Sequence, residues 1–402
     1  MKIFTNSAQR LVACAIVAVF LVFMPHALRG QAPATPAAAT EPAQRAANAP
    51  PLVPLTAARD GNFRIAPAYV DDPAFTERPD VPTGRVIRFT MNSADSKIFP
   101  TAPPDRGGAG GRGGRGQAPG AAAGPNAPAV APAAPPAVPP AGGPAAAQAG
   151  HHPFDRQVAV YIPAGYVPNT PAPFIVVQDE RWYVKEDAPE GRNDLAFMPT
   201  MLDNLIREKR VPPMVAVLLS PGPGGQRTIE YDTISDRYMN FVDTEVLPRI
   251  TRDYQVAFTD DPDGRATFGE SSGSPAALSM AWLYPYKYRR VISYSGTFVA
   301  LQRNAVAPNG GWDFHKTLIP NSERKPIRIW MEVGENDNGS TTSEEGMRNW
   351  VIANTHMAEA LKAKGYHYQF VFAEGVAHVS RPVQKQTMPE AFEWVWQGYK
   401  AK

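Results

Sequence analysis

The sequence predicts an α/β fold: a mostly parallel central sheet with helices on both faces, preceded by a β-rich N-terminal extension. Two observations predict it. Residues 174–177, 214–219, 265–268, 290–294, 327–333 and 368–372 are short apolar runs without polar alternation, as in strands buried on both faces. Between them, residues 198–209, 238–254, 275–283 and 350–364 space their apolar side chains at helical intervals. Such alternation implies right-handed crossovers, so that the C-terminal ends of the strands share one edge of the sheet. Chemistry is expected in the loops at that edge.

In chain order, Lys2 and Arg10 flank the start of an uninterrupted apolar run from Leu11 to Met24. This is the pattern of an export signal, and the run is too short to cross a bilayer as a stable helix. Residues 1–32 are therefore read as a signal peptide, which would act as a membrane anchor only if left uncleaved. Residues 33–57 are Pro/Ala-rich and read as a tether. Residues 58–100 form the extension, with a strand at 85–90. Residues 101–150 are almost wholly Gly, Ala and Pro, and offer too little apolar side chain to offset the entropy of ordering. Strand-like flanks at 85–90 and 156–162 make this a disordered surface insertion. Residues 151–402 are the main domain. Residues 156–162 alternate, which places them at a sheet edge.

Charge and cysteine content exclude several function classes. Lys and Arg total 40 against 38 Asp and Glu, a net charge of +2 with no basic stripe, which argues against nucleic acid as a partner. The single cysteine, Cys14, falls in the export segment, so the mature chain can form no internal disulfide. Zinc-type Cys/His spacing, His-Glu-x-x-His and P-loop patterns are absent, so neither a metal nor another cofactor is expected. The expected partner is a small-molecule or polysaccharide substrate, and the oligomeric state is open.

Gly269-Glu270-Ser271-Ser272-Gly273 lies between the strand at 265–268 and the helix at 275–283. In that context G-x-S-x-G reads as a sharp strand-to-helix turn with a serine at its apex. The small flanking residues let the turn close, and the Ser271 hydroxyl would stand clear of the backbone ahead of a helix N-terminus. A serine hydroxyl needs a base to take its proton and a third group to orient that base. The strand at 327–333 ends in Gly334-Glu335-Asn336-Asp337-Asn338-Gly339, which offers Asp337 as the acid and Glu335 as its close alternative. The strand at 368–372 leads into a loop ending at His378. Of the seven histidines, only His378 occupies a loop after a strand. A closing helix is expected over residues 389–396, with Pro389 in its first turn.

The backbone N–H of Ser272 is the natural first donor to a developing oxyanion. The second is expected from the loop after the strand at 174–177, at the N–H of Asp179 or Glu180. Trp182, Tyr183 and Trp350 are candidates to line the substrate pocket, with aromatic packing within the fold as the alternative.

These motifs are similar to those of the putative esterase family, which includes enterochelin esterase, esterase D and bacterial feruloyl esterases. The resemblance rests on residues 174–179, 201–217, 241–248, 269–273 and 294–298, with Gly334-Glu335-Asn336-Asp337 and Ala377-His378. It covers residues 155–398 and extends less closely over 60–100. It implies an α/β-hydrolase fold, with Ser271 as nucleophile, His378 as base and Asp337 as its partner. Two positions depart from the family pattern: Asp179-Glu180 stands where Asp-Gly is common, and Ser274 where a glycine is common. The resemblance implies a serine esterase, and the signal peptide adds a periplasmic or secreted location, so the expected substrates are carbohydrate-linked or other extracellular esters. Siderophore ester hydrolysis is the alternative within that chemistry. A non-catalytic, carbohydrate- or cell-wall-binding module on the same fold is the alternative outside it.

Overall fold

A nine-stranded sheet organises the described residues. The structure, a computed structural model, describes residues 55–103, 150–180, 183–184 and 198–400. The export segment, most of the tether, residues 104–149 of the insertion and Trp182 lie outside the described residues.

The strands are β1 (Gly61–Ile65), β2 (Arg85–Asn92), β3 (Asp155–Ile162), β4 (Phe174–Gln178), β5 (Val215–Leu219), β6 (Arg265–Glu270), β7 (Arg290–Tyr294), β8 (Arg328–Asn336) and β9 (His367–Ala377). Their order across the sheet is β1-β9-β8-β7-β6-β4-β5-β3-β2; from β1 across to β5 every neighbouring pair is parallel, while β3 pairs antiparallel with both β5 and β2. From β2 to β9 this is the strand order of an α/β-hydrolase sheet, and β1 adds one more parallel strand beyond β9. The alternating segment at 156–162 is not the edge. The extension supplies β2, which pairs with β3 from Arg85↔Ile162 to Asn92↔Asp155 and takes the edge instead.

The two-sided burial follows from period-2 geometry. In β4, Phe174 and Val176 join one core while Ile175 and Val177 join the other. Helices α1 (Met198–Arg207) and α7 (Arg381–Trp396) cover the second face with Met201, Leu202, Phe392 and Trp394. The first face is covered by a continuous helical stretch made of α3 (Arg237–Phe241), a π-helical turn (Val242–Val246) and α4 (Leu247–Tyr254). It is also covered by α5 (Gly273–Leu283) and α6 (Trp350–Ala363). Each such buried side chain is worth about 1.5–3 kcal/mol against exposure.

Two helix boundaries differ from expectation. The closing helix α7 begins at Arg381, with Pro382 in its first turn and Pro389 inside it. Either proline can read as a helix start from sequence; the Ser380 carbonyl takes the Gln384 N–H at 3.0 Å and opens the helix at the earlier one. The short helix α2 (Gln226–Tyr231) stands outside the helical patterns read from the sequence. At the base of the insertion, Ala102 and His152 exchange both main-chain hydrogen bonds, at 2.9 and 3.1 Å. The chain thus leaves and re-enters the sheet at one point.

Candidate active site

The turn from β6 into α5 puts Ser271 at φ +53°, a left-handed conformation that costs a non-glycine residue energy. Main-chain bonds hold it there. The Ser271 N–H donates to the Tyr294 carbonyl at 2.9 Å, and its own carbonyl accepts from Ser274 and Thr297, each at 3.1 Å. A Cβ on Gly269 would sit 2.1 Å from the Gly273 carbonyl oxygen, so the first glycine of the motif is a steric requirement. Gly269→Ala is expected to destabilise the fold by about 3 kcal/mol, read as a Tm drop of roughly 5 °C or more.

His378 directly follows β9, and Asp337 directly follows β8. The structure brings both to Ser271. His378 Nε2 lies 2.9 Å from Ser271 Oγ, and His378 Nδ1 lies 2.6 Å from Asp337 Oδ1. Asp337 is buried, and its Oδ1 also accepts the Asn338 N–H at 2.6 Å. Glu335 is not part of this chain of contacts, because its Oε2 accepts the Gly375 N–H at 2.8 Å instead. The histidine loop is pinned from below: Val379, at φ +53°, donates its N–H to Ser295 Oγ at 2.9 Å. Ser295 is itself at φ +46°, and Asp179 is at φ +62°. Four strained residues thus follow β4, β6, β7 and β9 along one rim, a clustering expected of a site that needs fixed geometry. Trp350, the first residue of α6, packs edge-on to the His378 ring at 6.1 Å, and its indole N–H donates to Thr297 Oγ1 at 3.2 Å.

Ser272 caps the N-terminus of α5, where first-turn N–H groups and the helix dipole favour negative charge. Asp179 lies against the same turn: a Cβ on Gly273 would be 3.7 Å from Asp179 Oδ2. Arg227 of α2 grips the Asp179 carboxylate with two bonds, at 2.9 and 2.7 Å, fixing the loop after β4. The Asp179 N–H makes only a 3.4 Å contact to the Tyr231 hydroxyl, weak enough for a substrate oxygen to displace. Glu180 turns its carboxylate toward Ser220 at 3.2 Å and Arg88 at 3.6 Å. Beside Ser272, burial pushes the Asp232 carboxyl up to about 7, with the Ser272 hydroxyl and Arg227 opposing. Asp232 therefore carries only part of its negative charge next to an oxyanion at neutral pH, and less below it. Arg227 and Asp232 are not legible from the sequence, because α2 has only six residues and leaves no helical period.

Tyr183 requires correction as a pocket residue. It is fully buried, packs edge-on against Phe268, and donates its hydroxyl to Glu270 Oε2 at 2.5 Å. Glu270, inside the serine motif, also accepts from Arg381 at 2.7 Å and Gln384 at 3.0 Å. Burial alone would raise the Glu270 carboxyl, but the charge and hydrogen bonds of Arg381 outweigh it and hold it below the usual range. The ion pair ties the start of α7, three residues past His378, to the serine turn.

Glu332 of β8 is buried near Asp337, and its carboxyl oxygens find no hydrogen-bond partner among the described residues. Burial first, and then the Asp337 charge, push it well above the ordinary carboxylate value. An acid with a raised folded pKa loses stability as pH climbs past its unfolded value of about 4.3. Glu332→Gln, which cannot ionise, should therefore raise Tm at pH 8 by at least roughly 2 °C. The difference should close near pH 4, as followed by thermal melts across pH.

No group of three or more His, Cys, Asp or Glu among the described residues is arranged to hold a metal ion.

A family model described as "Putative esterase" matches residues 152–391, more than half of the chain. A curated relative, the iron(III) enterobactin esterase of Dickeya dadantii (strain 3937), is 31% identical over 144 residues. That match takes in 33% of this chain and 30% of the relative, so the chain spans about a third of the relative's length. Among solved structures, the enterochelin esterase of Shigella flexneri superposes with a TM-score of 0.45 at 21% identity, covering 60% of this chain and 55% of that one. A CE1 ferulic acid esterase of the anaerobic fungus Anaeromyces mucronatus gives 0.49 at 14% identity, covering 82% and 95%.

Proposed function

Since the chain belongs to this esterase family, we propose that it is a serine carboxylic-ester hydrolase working through Ser271, His378 and Asp337. The observation that carries the reading is the unbroken relay from Ser271 Oγ to His378 Nε2 at 2.9 Å and from His378 Nδ1 to Asp337 Oδ1 at 2.6 Å.

His378 takes the Ser271 proton as Oγ attacks the ester carbonyl carbon. Asp337 keeps the Nδ1–H tautomer in place, so that Nε2 is the free base, and stabilises the imidazolium that results. The carbonyl oxygen becomes an oxyanion, and the N–H groups of Ser272 and Asp179 receive it at the positive end of α5. His378 then gives its proton to the leaving alkoxide, and an acyl-Ser271 ester remains. Water, deprotonated by His378, attacks that ester, and Ser271 leaves with the proton. Trp350 forms one wall beside His378.

The substrates are carbohydrate-linked or other extracellular esters, reached after export through the signal at residues 1–32 and at the end of the Pro/Ala-rich tether. A second reading, hydrolysis of a siderophore lactone, is favoured by the relative whose name specifies iron(III) enterobactin. A panel of acetyl, feruloyl, glucuronoyl and siderophore esters decides between them: the highest kcat/KM is expected on a carbohydrate-linked ester. A fluorophosphonate probe tests the chemistry itself. It should attach to Ser271, located by peptide mapping. Folded protein that takes up no probe would replace the hydrolase with a binding module on the same fold.

A further inference from the structure

The opposite ends of the strands carry a cluster of basic side chains. Strands β7, β8 and β9 begin with Arg290, Arg328 and His367, and these are direct cross-strand neighbours: Arg290↔Arg328 and Arg328↔His367. Like charges in register destabilise a sheet unless something compensates them. His367 is compensated, with Nδ1 2.7 Å from Asp60 Oδ2. The two arginines make no bond to a carboxylate among the described residues. Arg290 donates through Nε to the Asp263 carbonyl at 2.6 Å, and through Nη1 to the Gln397 carbonyl at 3.0 Å and to the Val395 carbonyl. Arg328 donates through Nη1 to the carbonyls of Trp394 and Gln397, at 3.0 and 3.2 Å.

These bonds cap the C-terminal end of α7, and the negative end of its dipole offsets part of the charge. They use only part of each guanidinium. Arg290 Nη2 and Arg328 Nε and Nη2 have no hydrogen-bond partner among the described residues. Burial lowers both guanidinium pKa values, that of Arg290 to about 10, with Asp263 opposing and the Arg328 charge adding to the effect.

Both side chains line a cavity of about 310 Å³, together with Arg289, Arg324, Lys325 and Asp263. Five cations thus face one carboxylate, and Arg289 already engages that carboxylate at 2.9 Å. A small-molecule hydrophobe has no reason to enter such a space. A tetrahedral oxyanion does: guanidinium groups present paired N–H donors that match its oxygens, and its charge relieves the repulsion between Arg290 and Arg328.

We propose that this cavity binds a phosphate or sulfate group, either as the free ion or carried on a larger molecule. It lies at the N-terminal ends of the strands, whereas Ser271 and His378 lie at the C-terminal ends, so an occupied cavity leaves the serine site open. The proposal stands whether or not Ser271 hydrolyses esters.

Isothermal titration of the full chain tests it, with sodium phosphate, sodium sulfate and glycerol 1-phosphate in turn, each at constant ionic strength set by chloride. Saturable binding at one site per chain is expected. Arg324→Gln removes an exposed side chain that donates to the Gly365 carbonyl at 2.9 Å, so it should fold normally. It should weaken binding about tenfold, the loss expected for a charge-assisted hydrogen bond. Arg252→Gln removes a surface cation on α4 and should leave binding unchanged. Tighter binding of glycerol 1-phosphate than of phosphate assigns the site to a phosphate carried on a larger molecule; the reverse order assigns it to the free ion. No saturable heat with any of the three, or an Arg324→Gln protein that binds as the wild type does, overturns the proposal.

Discussion

Ser271→Ala is expected to lower kcat on the best ester substrate by a factor on the order of a million, while the protein stays folded. The size follows from the role proposed for the hydroxyl. Without Oγ there is no acyl-enzyme, and His378 and Asp337 have no nucleophile to activate. A triad acts as a unit, so losing one member forfeits most of what all three supply. What remains is the contribution of the oxyanion donors and of substrate positioning, roughly a thousandfold or more over water. Folding should survive because the turn is held by main-chain bonds, from Ser271 N–H to Tyr294 and from Ser274 and Thr297 to the Ser271 carbonyl. Alanine meets the same positive φ that serine tolerates. The measurement is kcat on a chromogenic ester, together with fluorophosphonate labelling and a thermal melt on the same preparation. A variant that melts like the wild type and keeps more than about a hundredth of its kcat would move the nucleophile elsewhere, with Ser272 the first place to look.

The parts of the site that could be read from sequence are those fixed by local rules. Ser271, Asp337 and His378 each follow a strand that apolar runs identify, and parallel strands bring such positions to one rim without any knowledge of side-chain contacts. The supporting groups depend on contacts far apart in the chain. Glu270 lies inside the serine motif, yet its partner Arg381 is 111 residues away, and no periodicity links them. The same pairing removes Tyr183 from the pocket, since its hydroxyl is taken up by Glu270. Arg227 was hidden for a different reason. Its helix α2 has only six residues, too short for a helical period to stand out from a loop. The edge position was misplaced because β3 is buried at every position from Val158 to Ile162, on both faces, so its alternation is no guide to the number of its neighbours. Only the pairing with β2 reveals the second one.

Asp337→Asn is the second large effect, a kcat loss on the order of ten-thousandfold with little change in melting temperature. The carboxylate performs two tasks through one atom: Oδ1 faces His378 Nδ1 at 2.6 Å and accepts the Asn338 N–H at 2.6 Å. An asparagine of the same shape keeps the packing but presents either an amide oxygen or an amide NH₂ to the imidazole. With the oxygen there, the imidazolium that forms during attack loses its counter-charge. With the NH₂ there, His378 must accept at Nδ1 and carry its proton on Nε2, where it can no longer take the Ser271 proton. Wrong-tautomer variants of this kind lose about four orders of magnitude in kcat. Glu335→Gln separates this mechanism from a general effect of removing negative charge near the histidine. Glu335 is two residues away in sequence, but its carboxylate bonds the Gly375 N–H and not His378. Its replacement should change kcat by less than about tenfold, the scale of a single exposed hydrogen bond. Comparable losses in the two variants would mean that charge near the imidazole, rather than the fixed Nδ1 contact, sets the rate. A loss confined to Asp337→Asn, with probe labelling of Ser271 slowed in proportion, assigns the orienting task to that one oxygen.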